Sequence, residues 1–443
     1  SNPIDRVAGF DLQGGQWIIY SLNSRAYGLV EMKGLKKPLF DDRSDVVYFE
    51  GNGGLWAYDF GRKTVIPLEA FQGADFSIKK YNSVKVNDFY DIRMSTIDRC
   101  KPILIEKRAI TGATQYLLWA KNQIKAVTSA ITHHISEIVY LPGSNRMYTI
   151  EEHFNMPPTL MSYDHEFSLI CQRYNMGYHD AEAKDLRQEI IHYKNIDQRP
   201  LKGILYYPID YERGKKYPMV VHIYQQQRNY FNHYTLPSPG GGGLDLRALL
   251  REGYFVYLPD IVFDARGSIN FDKVGLMGHS MGGYETNFIA THSSRFSAYI
   301  SGSGHSDIVR AYYSYSYDNY LPLYWQFENG QYAIGIPLVK NKNLYYSNNP
   351  IYFVENVSAP ILIWTGRKDE NVHWDQTMEF YVGLKRNNKD VIAIFYSDEG
   401  HILDGNSKQG LDLNQRVLDW WNYFLKDKKT NVQWIMRQMK RDA

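Results

Sequence analysis

The stretch Gly278-His279-Ser280-Met281-Gly282-Gly283 constrains this chain more than any other. It reads G-x-S-x-G-G. Just before it, Lys273-Val274-Gly275-Leu276-Met277 has the pattern of a short buried strand, and just after it Tyr284 to Ala290 can run as a helix. A serine at a sharp strand-to-helix turn sits in a strained backbone conformation, and its neighbours must be small for the turn to close. The turn lifts the hydroxyl clear of the sheet. The helix N-terminus behind it offers backbone N–H groups to a developing oxyanion. The bare pattern also occurs in ordinary loops. The strand before it and the helix after it are the context that a nucleophile elbow requires.

A serine hydroxyl is a weak nucleophile and needs a base oriented by a third group. When the serine sits on such an elbow, the acid and then the histidine follow it in the chain. Ile361-Leu362-Ile363-Trp364 reads as an apolar strand and leads into Thr365-Gly366-Arg367-Lys368-Asp369. Val391 to Tyr396 reads as another strand and leads into Ser397-Asp398-Glu399-Gly400-His401. Asp369 and His401 each fall just past a strand end, the edge of a parallel sheet where such sites are built. The 32 residues from Asp369 to His401 hold one helix, about Asp375 to Asn387, and one strand. Taken singly, an Asp after a strand is often a turn former and a Gly-His in a loop is just a loop. Three such features in the required order coincide by chance far less often. Glu370 and Glu399 are the alternative acids.

Gly278-His279-Ser280-Met281-Gly282-Gly283-Tyr284, Asp369-Glu370-Asn371-Val372 and Glu399-Gly400-His401 together resemble the prolyl oligopeptidase family of serine peptidases. The resemblance is specific over about Arg187 to Asp427. It implies an N-terminal all-β, β-propeller-like domain (residues 1–180) and a C-terminal α/β-hydrolase domain with a mostly parallel sheet (residues 181–443). It implies Ser280 as nucleophile, Asp369 as orienting acid and His401 as base. It also implies a tyrosine donor to the oxyanion. Val220-Val221-His222-Ile223-Tyr224 matches the strand that carries that donor, which makes Tyr224 the candidate beside the backbone N–H of Met281. Gln225-Gln226-Gln227 stands where the family usually has Gly-Gly-Pro. An ordinary aromatic at a strand end is the other reading of Tyr224. The family lines its specificity pocket with aromatics, and the tyrosine-dense stretch Ser306 to Leu323 points to Tyr312 and Tyr313 for that task. Packing within an aromatic helix is the competing explanation for both.

Residues 1–178 show short strands and turns with little helical periodicity: Trp17 to Leu22, Asp45 to Phe49, Leu55 to Asp59, Gln115 to Trp119, Glu137 to Leu141 and Arg146 to Ile150. Tyrosine, at 37 residues, is abundant in the manner of strand-rich proteins. Propeller blades take about 40–45 residues each, so this stretch suffices for only about four. A second shortage follows the strand Phe255 to Pro259, because only about a dozen residues separate it from the elbow strand. Parallel neighbours need a crossover of about that length or more, usually helical. Both shortages lead to the expectation that segments of the natural protein are absent from this sequence. The joins are expected near Arg266-Gly267-Ser268 and within the first 180 residues. Glu151-Glu152 reads as a blade turn.

Further along, Glu189 to Lys194 and Leu201 to Tyr207 read as a hairpin, and Leu244 to Gly253 as a helix ended by its glycine. Leu411 to Leu425 reads as an amphipathic helix carrying Trp420 and Trp421. Acids and bases are interspersed at a net charge of +2, without the basic stripe of a nucleic-acid binder. Cys100 and Cys171 are too few for a disulfide scaffold or a zinc site. No phosphate loop, dinucleotide fingerprint, metal motif or membrane span is visible. The expectation is a hydrolase of small peptides with no cofactor, no metal, no nucleic acid and no membrane span. An esterase or acylaminoacyl-releasing hydrolase shares the same residues, and a non-catalytic peptide-binding module is the alternative of another class. A homo-oligomer and the compartment stay open, family habit pointing outside the cytoplasm.

Overall fold

A computed structural model of the chain describes residues 6–439 apart from 12–14, 37, 80–81, 88–91, 101–102, 109–113, 121–122, 127–133, 142–145, 165–168, 176–179, 195–197, 199, 225–226, 228–229, 261–268 and 429–431. The chain divides into two compact units, Ser1–His153 with Pro158–Gly177, and Phe154–Pro157 with Tyr178–Ala443.

The first unit is all β among the described residues. Its strands form sheets of three, six, four and four members, with neighbours mostly consecutive in sequence, as in the blades of a propeller. Strand Gly54–Asp59, for example, pairs antiparallel with Val46–Gly51 on one side and Thr64–Gln72 on the other. Apolar residues of alternating strand positions meet between sheets. Leu55, Phe71, Phe76, Ile105 and Trp119 form one such cluster, and Ile19, Val47, Phe49 and Tyr58 another. Glu151 and Glu152 do not form a turn. They lie inside the strand Arg146–His153, where the buried Glu151 carboxylate accepts hydrogen bonds from Thr149 Oγ1 (2.6 Å) and from the Tyr163 hydroxyl. A carboxylate at that depth needs such donors, and its own strand and the next one, Met156–Tyr163, supply one each.

The second unit is built on one eight-stranded sheet. Its strands are labelled β1 (Gln188–Lys194), β2 (Pro200–Tyr206), β3 (Tyr217–Ile223), β4 (Phe255–Pro259), β5 (Ile269–His279), β6 (Ala298–Gly302), β7 (Ile361–Gly366) and β8 (Val391–Tyr396). The order across the sheet is β1-β2-β4-β3-β5-β6-β7-β8. The first two strands pair antiparallel, as does β2 with β4, and all later pairings are parallel. The strands β4 and β5 are not neighbours, because β3 runs between them. The connection between them, residues 261–268, lies outside the described residues, and with it the expected join at Arg266-Gly267-Ser268.

The alternation of side chains along each strand sorts the core into two layers. Val220, Val256, Met277, Ile300, Leu362 and Trp364 face one layer, where helices α1 (Leu246–Arg251) and, further along the chain, α4 (Lys408–Lys426) cover them. Val221, Tyr257, Leu276, Tyr299, Ile361 and Ile363 face the other, against α2 (Met281–His292) and α3 (Asp375–Arg386). Because both faces are covered, β4, β6 and β7 are buried at every position, which is why they read as unbroken apolar runs. The amphipathic helix α4 starts at Ser407, whose Oγ accepts from the Gly410 N–H (3.0 Å), and ends at Asp427 in the left-handed region. Its buried stripe Leu413, Val417, Trp420, Trp421 and Leu425 has helical spacing. Trp421 lies over Gly275 of β5 so closely that a Cβ there would stand 2.3 Å from the indole.

Candidate active site

The strand β5 delivers Ser280 to the C-terminal edge of the sheet, and α2 begins at the next residue. The Ser280 backbone has φ 58° and ψ −118°, a conformation that costs a non-glycine residue roughly 1–3 kcal/mol. Two backbone bonds hold it there. The Ser280 N–H donates to the Gly302 carbonyl of β6 (2.8 Å), and the Ser280 carbonyl accepts from the Tyr284 N–H (3.0 Å). The flanking glycines follow from close approach. A Cβ on Gly278 would stand 2.2 Å from the Gly282 carbonyl oxygen, and one on Gly282 would stand 2.1 Å from the Ile223 carbonyl oxygen. Helix α2 therefore starts pressed against the end of β3.

Two loops on the same edge bring the partners. His401 follows β8, and its Nε2 lies 2.7 Å from Ser280 Oγ. Asp369 follows β7, and its Oδ2 lies 2.8 Å from His401 Nδ1. The other carboxylate oxygen accepts from the backbone N–H groups of Asn371 (2.9 Å) and Val372 (2.8 Å). The Asp369 side chain is fully buried. An acceptor-only carboxylate on Nδ1 makes that nitrogen the donor and leaves Nε2 to accept the serine hydroxyl. Of the three acids considered from sequence, Asp369 is the one bonded to the imidazole, whereas the Glu370 side chain is exposed.

Ser280 and His401 open onto a cleft of about 820 Å³ that Tyr224, Met281, His305, Gln331, Tyr332 and Asn371 also line. Tyr224 packs against the apolar cluster that holds Met281, and its hydroxyl accepts a hydrogen bond from Gln331 Nε2 (3.2 Å). Gln225 and Gln226 lie outside the described residues, and Gln227 is held at two points. Its N–H donates to Asp260 Oδ1 (2.9 Å), and its side chain donates to the His222 carbonyl (2.6 Å). The Met281 N–H is the first of α2 and has no acceptor within the helix. Tyr312 and Tyr313 do not reach the cleft. The Tyr312 ring stacks on Phe327 and its hydroxyl donates to Glu328, while Tyr313 turns outward and is 71% exposed.

Two buried histidines flank the serine. His279 is stacked on Trp364 (5.3 Å between ring centres), and its Nε2 lies 2.7 Å from the His401 carbonyl oxygen. His305 Nδ1 lies 2.6 Å from the Tyr332 hydroxyl. Burial pushes both imidazoles down to about 4, so each stays neutral near pH 7. His305, Gln331 and Tyr332 carry no motif, so sequence reasoning passes over them. His305 follows β6, and Gln331 and Tyr332 follow the short helix Tyr324–Glu328.

Residues 262–428 match the model of the prolyl oligopeptidase family. The chain is 21% identical over 371 residues to an uncharacterized peptidase of Bacillus subtilis, an overlap of 73% of this chain and 55% of that protein. Its fold is similar to a crystal structure of Porphyromonas gingivalis dipeptidyl peptidase 4, with a TM-score of 0.66 at 15% identity over 94% of this chain and 61% of that one. It is similar also to Pyrococcus horikoshii acylaminoacyl peptidase, with a TM-score of 0.53 at 16% identity over 97% of this chain and 88% of that one. The chain thus spans little more than half the length of the Bacillus relative. Over residues 262–428 the chain thus resembles the prolyl oligopeptidase family, on a fold shared with these peptidases.

Proposed function

We propose that this protein is a serine peptidase that hydrolyses short peptides through an acyl-enzyme. The observation that carries the reading is the unbroken hydrogen-bond chain from Ser280 Oγ through His401 to the buried Asp369. As Ser280 Oγ attacks the scissile carbonyl, His401 Nε2 takes its proton. Asp369 holds the imidazole in the right tautomer and stabilises the imidazolium that forms. His401 then gives the proton to the leaving amine, and water discharges the acyl-enzyme by the same steps in reverse. The developing oxyanion sits between the Met281 N–H and the Tyr224 hydroxyl. Among the described residues that line the cleft none is Asp, Glu, Lys or Arg, so an uncharged substrate side chain suits it.

The hydrogen-bond chain serves an ester as well as an amide. The choice of a peptide rests on the relatives, named as dipeptidyl and acylaminoacyl peptidases. Digestion of a mixed peptide library, read by mass spectrometry, tests it with Ser280→Ala as control. Wild type is expected to cleave and to react with a fluorophosphonate at Ser280. The variant is expected to lose turnover on the order of 10⁶-fold. Cleavage that survives in Ser280→Ala would remove the proposal, and labelling without peptide cleavage would move it to an esterase.

A further inference from the structure

We infer that Gln331 is a positioning residue that aims the Tyr224 hydroxyl at the oxyanion. The inference rests on the proposed acyl transfer at Ser280 and deepens it. Tyr224 lies beside the elbow that carries Ser280. Its Cα is 3.6 Å from the position of a Cβ on Gly282, in the first turn of the helix that follows Ser280, and both Tyr224 and Ser280 line the cleft. Position alone does not make a phenol a donor. The hydroxyl has one hydrogen, which points at whichever neighbour accepts it best. Gln331 Nε2 donates to Tyr224 Oη (3.2 Å) and so occupies a lone pair. The hydrogen is thereby left to point elsewhere, and the incoming N–H polarises the O–H and strengthens it as a donor. A carboxylate in the same place would take the hydrogen for itself.

The amide is held where this requires it. Gln331 follows the short helix Tyr324–Glu328, and the turn after that helix is tied back onto it. The Gly330 N–H donates to the Trp325 carbonyl (2.9 Å), the Gln331 N–H to Gln326 Oε1 (3.4 Å) and the Tyr332 N–H to the Gln326 carbonyl (3.2 Å). The next side chain, Tyr332, is fixed by its bond to His305. Gln331 therefore approaches Tyr224 from a braced wall of the cleft. Its own side chain is exposed, so replacing it leaves the core intact.

The test measures kcat and KM for p-nitrophenyl acetate hydrolysis, together with fluorophosphonate labelling of Ser280. Tyr224→Phe is expected to lower kcat roughly 10²–10³-fold with KM nearly unchanged, the size seen when one oxyanion donor is lost. Gln331→Glu should fall to the same level, because its carboxylate captures the hydroxyl hydrogen. Gln331→Met, which neither donates nor accepts strongly, should fall less. Adding Tyr224→Phe to Gln331→Glu should cost nothing further, since both act through one hydroxyl. Full kcat in Gln331→Glu, losses that multiply in the double variant, or an effect on KM alone would each overturn the inference. Full kcat in Tyr224→Phe with Ser280 still labelled would overturn it while leaving the serine chemistry standing. A wild-type protein that is not labelled at all would bring down both.

Discussion

Two backbone amides, from Asn371 and Val372, hold one oxygen of Asp369 and leave the other to His401 Nδ1. Asp369→Asn keeps the shape but can present an N–H to Nδ1, which drives the imidazole into the wrong tautomer. A fall in kcat of about 10⁴-fold with the fold intact is expected, checked by steady-state kinetics beside circular dichroism. A second consequence belongs to the buried His279 and His305 and the half-buried His222. His222, His279 and His305 are each pushed down to about 4 by desolvation, from the ordinary imidazole value of about 6.5. The unfolded chain therefore binds more protons than the folded one between those values. Their contribution to stability is complete above about 6.5 and is lost as pH falls toward 4. Urea midpoints measured from pH 7.5 to 5 should decline below about 6.5, and a flat profile there would contradict the burial argument.

At the scale of elements, the turn from β5 to α2 ties the nucleophile to the oxyanion side. Gly282 is in contact with the Ile223 carbonyl, one residue before Tyr224. Gly282→Ala places a methyl against backbone that cannot rotate away, so α2 or β3 must shift. The expected result is a loss of about 1–3 kcal/mol in urea denaturation, and a kcat lowered on the order of 10²-fold through misplacement of Ser280 against its donors. Helix α4 tests the packing of the opposite layer. Leu413 is fully buried there, and Leu413→Ala should cost about 2–5 kcal/mol. These elements were legible because each carries a local signature: unbroken apolar runs for β6, β7 and β8, a helical stripe for α4, glycines around Ser280. The wall of the cleft was not. The family resemblance pointed to Tyr312 and Tyr313, but burial against Phe327 turned the first away from the cleft and exposure took the second. The residues that face the cleft, Gln331 and Tyr332, come after that stretch, beyond a short helix whose packing no local pattern announces.

At the scale of the molecule, each of the two units has apolar clusters of its own, and Ser280, Asp369 and His401 all belong to the second. Calorimetry should resolve two transitions, and phosphonylation of Ser280 should shift only the one that belongs to the second unit. A single transition that moves as a whole would show that the units unfold together. By itself the sequence determined whatever depends on near neighbours in the chain: the unbroken apolar runs of β4, β6 and β7, the small residues at the elbow, and the order serine, acid, histidine at strand ends. Those are set by backbone sterics and hydrophobic periodicity, which act over a few residues. Only the tertiary structure decided that β3 lies between β4 and β5, that Glu151 is inside a strand, and that Gln331 reaches Tyr224 across 107 residues. Such contacts are made by segments that share no local pattern, and they exist only after the sheet has assembled and its loops have been packed against one edge.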